Sequence, residues 1–303
     1  MVTEKLKKIL VVDDEAIIRG MLEVELEDRY QVYTAADSGE ALDILRNEEI
    51  DLVISDINMP DMKGYELLKK ARETRPGIKT ALITAYNTDD YIRLAKENGI
   101  SNIIPKSTPF NFDEFNSIVH GLVTEGVFGL ANYLLSDFQV RGEHSVRSSR
   151  EIARVEQQIL EELKAFCEPE PFVQILLEEL ITNAVYHAPV DQNGKEKYEK
   201  HSDVDLEEEE AVKITVGVDS EKYGVSVTDT SGKLTKEQVL YRIDRHLHAE
   251  GVLDENGRGL HMSRLYADRL IINIKPNVAT EVIFINYFIK KYQGYKPLYI
   301  NEL

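Results

Sequence analysis

Short apolar runs alternate with amphipathic segments from Lys7 to Thr124. The runs KKILVVDD, QVYTAAD, DLVISDI, TALITAY and NIIPKS are almost continuously apolar, which is typical of parallel strands covered on both faces. Between these runs, helical spacing begins near Ala16, Ser38, Gly64, Asp89 and Asn111, and Ser38 is expected to be the N-cap of its helix. The alternation predicts an α/β domain with a doubly wound, five-stranded parallel sheet.

The chain after this domain has a different pattern. The stretch NFDEFNSIVHGLVTE predicts the last helix of the first domain, and GVFGLANYLLS predicts a short helical connector. The stretch SSREIARVEQQILEELKAF predicts a helix capped by Ser148 or Ser149. We therefore divide the chain into residues 1–125, a connector at 126–135 and a second domain at 136–303.

Three later stretches place polar residues among apolar ones. EELITNAVYHA predicts an amphipathic helix, and VSVTDTSG predicts a strand with Val225 and Val227 pointing inward. ENGRGLHMSRLYADRL predicts a glycine turn that leads into a helix whose apolar stripe includes Leu260, Met262 and Leu265.

Composition narrows the class of protein. A chain of 303 residues with 43% hydrophobic residues is long enough for two cores, and a formal net charge of -18 disfavours direct binding of nucleic acid. No apolar run approaches membrane-spanning length, and MVTEKLKKIL lacks the apolar region of a signal peptide. The single cysteine, Cys167, excludes an intramolecular disulfide and a cysteine-based zinc cluster. We expect a cytoplasmic protein without a membrane partner.

Polar residues follow the predicted strands of the first domain. Ligands of such sheets bind beyond the carboxyl ends of the strands, where this sequence places Asp13, Asp14, Asp56, Thr84 and Lys106. Converging carboxylates require a cation, and oxygen ligands without Cys or His suit Mg²⁺. The lysine and the hydroxyl can bind the oxygens of a phosphoryl group.

Residues 7–124 resemble a response-regulator receiver domain, which has a flavodoxin-like fold. VVDDE, SDINMPDMKGYELL, LITAY and IIPK stand in the order and spacing of that family. The resemblance implies that Asp56 is the phosphoacceptor, that Thr84 and Lys106 contact the phosphoryl group, and that an upstream sensor histidine kinase is the donor. It also implies Mg²⁺ ligands: Asp13, Asp14, Asp56 and the backbone carbonyl of Asn58.

Two positions depart from the receiver pattern. Lys106 is followed by Ser107, and the proline usual at that position comes only at Pro109. Ile103 stands where the family usually has an aromatic switch residue. Phosphate capture tolerates both changes, whereas the usual threonine–aromatic relay does not, so we expect the output to take another route.

The helix EELITNAVYHA carries Glu179 and Asn183 four residues apart, on one face. Burying unpaired polar groups beside an apolar core costs free energy, so a ligand that pairs with this polar stripe of Glu179 and Asn183 is expected. Gly257 and Gly259 at the start of the following helix would let backbone amides approach a phosphate. The stripe is therefore predicted to form the floor of a nucleotide pocket.

The order of these motifs resembles the GHKL ATP-binding fold, an α/β two-layer sandwich, and within it the anti-sigma-factor serine kinases. TNAVYHA and GRGL carry the likeness to that branch. It implies that Asn183 binds Mg²⁺, that Glu179 is the catalytic base, that Asp229 accepts the adenine amino group and that Lys233 to Asn256 form a mobile lid. The remaining residues expected to contact ATP are Gly232, Gly257, Arg258, Gly259 and Leu260. The turn after Asp229 keeps one displaced glycine, Gly232, where the family commonly has two.

Three functions remain open. The leading hypothesis is a response regulator in which phosphorylation of Asp56 controls a protein serine kinase of a partner-switching pathway, with an anti-sigma-factor antagonist or a sigma factor as partner and a homodimer as assembly. The second is an atypical histidine kinase, for which His144 is the candidate acceptor, although we expect His144 to be an exposed loop residue. The third is a non-catalytic switch that binds a partner in an ATP-dependent manner.

The acidic insert from Asp191 to Glu210 is expected to be a solvated, mobile loop.

Overall fold

The computed structural model describes residues 6–124, 126–200, 202–247 and 258–303, with the side chain of Arg258 excluded. The chain divides into two compact units. The first contains Met1–Gly126 and Tyr292–Leu298, and the second contains Val127–Lys291 and Tyr299–Leu303. The connector expected at 126–135 thus lies almost entirely within the second unit, and a short segment near the chain's end lies in the first.

The first unit alternates strands with helices. Its elements are β1 (Lys8–Val12), α1 (Ala16–Leu26), β2 (Gln31–Ala35), α2 (Ser38–Asn47), β3 (Leu52–Asp56), α3 (Gly64–Thr74), β4 (Lys79–Thr84), a 3₁₀ turn (Thr88–Tyr91), α4 (Ile92–Asn98), β5 (Asn102–Pro105) and α5 (Phe112–Thr124). In the described part of this unit, the strands pair in parallel in the order β2-β1-β3-β4-β5. Nearly every residue of β1 and β3 is buried, as a sheet covered on both faces requires. The predicted flavodoxin-like α/β sheet is confirmed.

One predicted cap is wrong. Ser38 is the first residue of α2, and the cap is Asp37, whose carboxylate accepts a hydrogen bond from Glu40 N at 2.9 Å. The Ser38 hydroxyl is instead used in a tertiary contact, because it donates to Asp61. Both residues favour N-caps, so local sequence did not distinguish them.

The second unit is a mixed α/β structure. Its elements are a 3₁₀ turn (Leu130–Tyr133), β6 (Gln139–Val146), a 3₁₀ turn (Ser149–Glu151), α6 (Ile152–Lys164), α7 (Phe172–Thr182), a π-helical turn (Asn183–His187), a 3₁₀ turn (Glu208–Glu210), β7 (Val212–Val218), β8 (Lys222–Asp229), α8 (Lys236–Leu247), α9 (Arg258–Tyr266), β9 (Arg269–Lys275), β10 (Ala279–Tyr287) and β11 (Leu298–Glu302). Its described strands run in the order β11-β9-β10-β8-β7-β6, antiparallel except for the parallel pair β11–β9.

The two faces of this sheet are covered differently. Val225 and Val227 point into a core shared with α6 and α7, as their alternation predicts. On the opposite face, the connector packs so closely that a Cβ at Gly217 would lie 2.9 Å from Leu134 Cδ1. In the same layer the Glu281 carboxylate accepts hydrogen bonds from Gly129 N, Ser226 Oγ and Asn273 Nδ2. The connector is therefore an integral layer of the second unit.

Two local expectations are corrected. Leu265, predicted on the apolar stripe of α9, is exposed, whereas Leu260 is buried. The insert from Asp191 to Glu210 is partly packed: Val204 is buried, and Ser148 and Asp205 form an antiparallel bridge. His201 lies outside the described residues. Local sequence did not indicate the packing of the insert, because the Ser148–Asp205 bridge joins segments that are distant in sequence.

Candidate functional site

Two buried carboxylates meet one lysine at the carboxyl ends of the first unit's strands. Asp13 follows β1 and is fully buried, and Asp56, the last residue of β3, is 7% exposed. Lys106 follows β5, and its Nζ lies 2.9 Å from Asp13 Oδ2 and 2.9 Å from Asp56 Oδ1. The structure thus brings together three residues from three separate motifs.

The positive charge of Lys106 and the negative charges of Asp13 and Asp56 stabilise one another. Burial raises the pKa of Asp13, and the hydrogen bond and charge of Lys106 oppose that rise. Burial alone would lower the pKa of Lys106, but the hydrogen bonds and charges of Asp13 and Asp56 raise it above its ordinary value. Lys106 is therefore a permanent cation beside the Asp56 carboxylate. Glu15, whose role was not predicted, adds a third contact, with its Oε1 3.0 Å from Lys106 Nζ.

The remaining predicted residues surround this centre. Asn58 N donates to Asp56 Oδ2 at 2.6 Å, and Thr84 Oγ1 accepts from Tyr86 N at 3.1 Å. The backbone of Lys106 is fixed to that of Thr84, because Lys106 N donates to Thr84 O at 2.7 Å. Asp14, in contrast, is exposed.

Gly64 shows how tightly the backbone surrounds Asp56. A Cβ at position 64 would lie 1.9 Å from Asp56 O and 2.8 Å from Ser55 Oγ. Since α3 begins directly against the end of β3, position 64 has no space for a side chain. The glycine in the motif DMKGYELL thus has a steric role.

The oxygen donors at this site suit Mg²⁺. The described residues contain no preformed cluster of three His, Cys, Asp or Glu side chains for a metal ion, and Lys106 lies between the two buried carboxylates. Mg²⁺ needs only one or two carboxylates, with carbonyls and waters completing its shell. Asp13, Asp56 and the Asn58 carbonyl match that chemistry.

A second group of predicted residues meets at the start of α9. A Cβ at Gly259 would lie 2.6 Å from Glu179 Oε2 and 2.9 Å from Asn183 Nδ2. Glu179 and Asn183 therefore share the face that their spacing predicts, and that face meets the glycine motif. Asn183 begins the π-helical turn that extends α7, and such turns are frequent at functional sites.

A cavity of about 250 Å³ lies beside this contact. It is lined by residues of the second unit: Leu180, Asn183, Ala184, His187, Ala188, Val190, Gly194, Glu196, Val227, Asp229, Ser231, Lys233, Leu234, Gln238, Arg242, Leu260, Thr280 and Val282. Asn183, Asp229 and Leu260, predicted from three different motifs, share this cavity. Gly257 lies outside the described residues, as does the side chain of Arg258.

The Asp229 carboxylate is held in place by the turn that follows β8. Its Oδ1 accepts hydrogen bonds from Ser231 N at 2.8 Å and Ser231 Oγ at 2.6 Å. Burial raises the pKa of Asp229, and these bonds oppose the rise. Gly232 has a φ of +55°, and a Cβ there would lie 2.2 Å from Lys275 O. This single glycine therefore packs the altered turn against the end of β9 and the residues that follow it.

Several residues that line the cavity had no sequence signal that we recognised. Thr280 and Val282 come from β10, and the position of that strand beside β8 is a tertiary feature. Gln238 and Arg242 stand one helical turn apart on α8, a spacing that could have marked them. The expected lid from Lys233 to Asn256 contains α8, and residues 248–256 lie outside the described part.

His144 is not in a loop. It lies on β6, its side chain is 12% exposed, and its Nε2 is 3.1 Å from Glu162 Oε2. The expectation of an exposed loop histidine is wrong, because β6 pairs with β7 and α6 covers it.

No helix among the described residues is long and apolar enough to cross a membrane.

Residues 9–120 match the response regulator receiver domain family. Over 114 residues the chain is 40% identical to sporulation initiation phosphotransferase F of Bacillus subtilis, covering 37% of this chain and 90% of that protein.

Two further comparisons concern the same region. Over 113 residues the chain is 33% identical to the sensor kinase CckA of Brucella abortus, covering 37% of this chain but only 12% of that protein. The solved CheY-like receiver domain from Methanospirillum hungatei is 35% identical, with a TM-score of 0.37, covering 40% of this chain and 96% of that one. The extent of the match to phosphotransferase F shows that this chain belongs, through its N-terminal domain, to the response regulator receiver family of two-component systems.

Proposed function

We propose that Asp56 receives a phosphoryl group from a sensor histidine kinase. Receiver domains bind Mg²⁺ for phosphorylation and take the group from a donor such as a histidine kinase. The observation that carries the assignment to Asp56 is the pair of 2.9 Å contacts by which Lys106 joins Asp56 to Asp13. Asp13, Asp14, Asp56 and the Asn58 carbonyl are the proposed metal ligands.

The chemistry follows from the charges around Asp56. An Asp56 oxygen attacks the phosphorus of the donor phosphohistidine, so that a P–O bond forms while the P–N bond breaks. Lys106 remains cationic and offers its ammonium group to the phosphoryl oxygens, and Thr84 offers its hydroxyl. Bound Mg²⁺ supplies further neutralisation of charge.

Intact mass spectrometry tests this assignment. With Mg²⁺ and acetyl phosphate, the full chain should gain one phosphoryl group. Asp56→Asn should gain none, and Asp43→Asn, which alters an exposed carboxylate on α2, should behave like the parent. Equal labelling of Asp56→Asn and the parent would refute the assignment.

We propose that the second unit binds Mg²⁺–ATP and acts as a protein serine kinase in partner switching. One observation carries this proposal: a single cavity gathers Asn183, Asp229 and Leu260 from three separate motifs, beside the Gly259 contact with Glu179. Asn183 is the proposed Mg²⁺ ligand, and Asp229 is the proposed acceptor for the adenine amino group.

The other residues complete the proposed machinery. Glu179 is the base for a serine hydroxyl, and it lies against the start of α9, where backbone amides favour phosphate. Gly232, Gly257, Arg258 and Gly259 would border the nucleotide. The proposed protein partner is an anti-sigma-factor antagonist or a sigma factor, and the proposed assembly is a homodimer.

Calorimetry with Mg²⁺–ATP tests nucleotide binding. The full chain should bind, and Asp229→Asn should bind at least tenfold more weakly, since a carboxylate hydrogen bond contributes about 1.5–3 kcal/mol. Asp203→Asn, an exposed change in the insert, is the matched control. A well-folded chain that takes up no adenine nucleotide would overturn the proposal.

A non-catalytic switch is the second candidate, and the single glycine in the turn after Asp229 favours it. Glu179→Ala separates the two functions. A kinase with this change loses phosphoryl transfer to its partner but keeps ATP binding, whereas a switch keeps ATP-dependent capture of the partner.

A further inference from the structure

The segment Tyr292–Leu298, here called the latch, packs in the first unit although the chain before it belongs to the second. Its backbone pairs with the loop after β5. Thr108 N donates to Gln293 O at 2.7 Å, and Gln293 N donates to Thr108 O at 2.9 Å. This two-bond antiparallel bridge fixes the latch by main-chain atoms, independent of side chains.

Gly294 brings the latch still closer to the same loop. Its φ is +153°, a value that side-chain-bearing residues rarely adopt. A Cβ at this position would lie 3.1 Å from Ser107 Cα and 3.2 Å from Ser107 Cβ. The latch therefore requires a glycine here, and the contact leaves no space for the loop to move towards it.

The loop that holds the latch begins at the proposed phosphate-binding lysine. Lys106 Nζ is bound to Asp13 and Asp56, and Ser107 and Thr108 follow it directly. Phosphorylation of Asp56 replaces a carboxylate partner of Lys106 by a larger, doubly charged group. Lys106 must then reposition, and only one residue separates it from the bridge to Gln293.

The chain after the latch enters the sheet of the second unit. In β11, Ile300 pairs with Ile272 of β9, and Asn301 Nδ2 donates to Asn273 Oδ1 at 2.8 Å. Asn273 Nδ2 in turn donates to Glu281 Oε2 at 2.9 Å. Glu281 stands on β10 between Thr280 and Val282, which both line the cavity.

We propose that the latch is the output element of the receiver: phosphorylation of Asp56 loosens the Thr108–Gln293 bridge, and the change reaches the nucleotide cavity through β11. This route replaces the threonine–aromatic relay, which lacks its aromatic residue at Ile103. The effect on the cavity rests on the proposed function of the second unit, whereas the loosening of the latch does not.

Hydrogen–deuterium exchange on the full chain tests the first step. Beryllofluoride with Mg²⁺ serves as the phosphoryl analogue. The amides of Thr108 and Gln293 should exchange roughly tenfold faster with the analogue, as expected for loss of two backbone hydrogen bonds. Asp56→Asn should show no change. Unchanged or slower exchange at these amides in a chain that binds the analogue would overturn the proposal.

Variants of the latch test the second step. Gly294→Val should release the latch without the analogue, and the smaller Gly294→Ala should do so in part. Gln293→Val is the matched control, because Gln293 contributes backbone atoms to the bridge and its side chain is exposed. The dissociation constant of Mg²⁺–ATP should change by roughly threefold or more with the analogue, and in the same direction in Gly294→Val.

The outcomes separate the two proposals. If no form of the chain binds ATP, the proposed nucleotide function fails and the exchange data still decide the latch. If ATP binds with one affinity in all forms, transmission to the cavity is refuted.

Discussion

Single residues in this protein are constrained by what lies against them. Gly64 is fixed by the carbonyl of Asp56, Gly259 by Glu179 and Asn183, and Lys106 by two buried carboxylates. Each constraint joins residues far apart in sequence. Changes at these positions should therefore act on the sites themselves, and changes at similar residues in open positions should not.

Gly64→Ala should destabilise the first unit by roughly 1–3 kcal/mol, because its Cβ would overlap Asp56 O and force the backbone to shift. Gly20→Ala is the matched control. Gly20 lies in the interior of α1, and apart from that helix's own backbone no described atom lies within 4 Å of a Cβ there, so alanine should stabilise by about 0.5–1 kcal/mol. Urea denaturation of the two variants measures both effects, and equal stabilities would contradict this account.

Glu156 should make the second unit less stable as pH rises. It is 7% exposed on α6, and burial, with a smaller contribution from Glu178, raises its pKa to about 7. Its folded pKa exceeds the unfolded value of about 4.3, so the stabilising contribution of its protonated form is complete below that value and is lost as pH rises through 7. We expect a loss of about 1–3 kcal/mol.

Denaturation at pH 5 and pH 8 measures this loss. Glu156→Gln should remove most of the difference. Glu161→Gln, an exposed change on the same helix, should retain it. If the parent and Glu156→Gln changed in stability by the same amount between pH 5 and pH 8, the pKa of Glu156 would not be raised in the folded protein.

At the scale of elements, helix ends and extra turns determine which residues face the sites. The π-helical turn at Asn183–His187 continues α7 and places His187 on the cavity wall. His187 Nδ1 lies 3.1 Å from Glu196 Oε1. The 3₁₀ turn Leu130–Tyr133 covers the sheet face of the second unit that lies opposite α6 and α7. These irregular elements connect the regular ones to the polar residues.

Asp37→Ala should lower the stability of the first unit by about 1 kcal/mol, because Glu40 N would lose its capping acceptor. Asp43→Ala, which removes an exposed carboxylate paired with Arg46 on the same helix, should cost a few tenths at most. Thermal unfolding of both variants distinguishes them. A larger loss from Asp43→Ala would mean that Asp37 is not the effective cap.

The whole molecule is dominated by acidic charge. The excess of 54 Asp and Glu residues over 36 Lys and Arg residues gives the net charge of -18. Individual cations pair with nearby carboxylates, as Lys106 does with Asp13 and Asp56. The surplus of carboxylates should repel polyanions at long range.

The full chain should therefore not bind duplex DNA at an ionic strength of about 0.15 M. Fluorescence anisotropy with a labelled duplex measures this, with a receiver-linked DNA-binding regulator as positive control. Salt-sensitive binding in the micromolar range would show a basic surface that the overall charge conceals.

The receiver fold was predictable because its information is local. Alternating strands and helices, with Asp13, Asp56 and Lys106 at strand ends, identified the sheet and the residues that converge at its edge. Parallel sheets place their strand ends together, so residue order implied proximity. The same reasoning placed Glu179 and Asn183 on one helical face.

The tertiary structure decided what depends on distant segments. The sequence did not indicate that Asp37 rather than Ser38 caps α2, that His144 lies on a strand against Glu162, or that Glu281 anchors the connector. The backbone pairing of Gln293 with Thr108 likewise joins residues that are 185 positions apart in the sequence (293 − 108). Sequence alone determined which local elements form and which chemistry they carry. Packing between remote segments determined which polar groups pair, because burial and hydrogen bonding depend on neighbours in space.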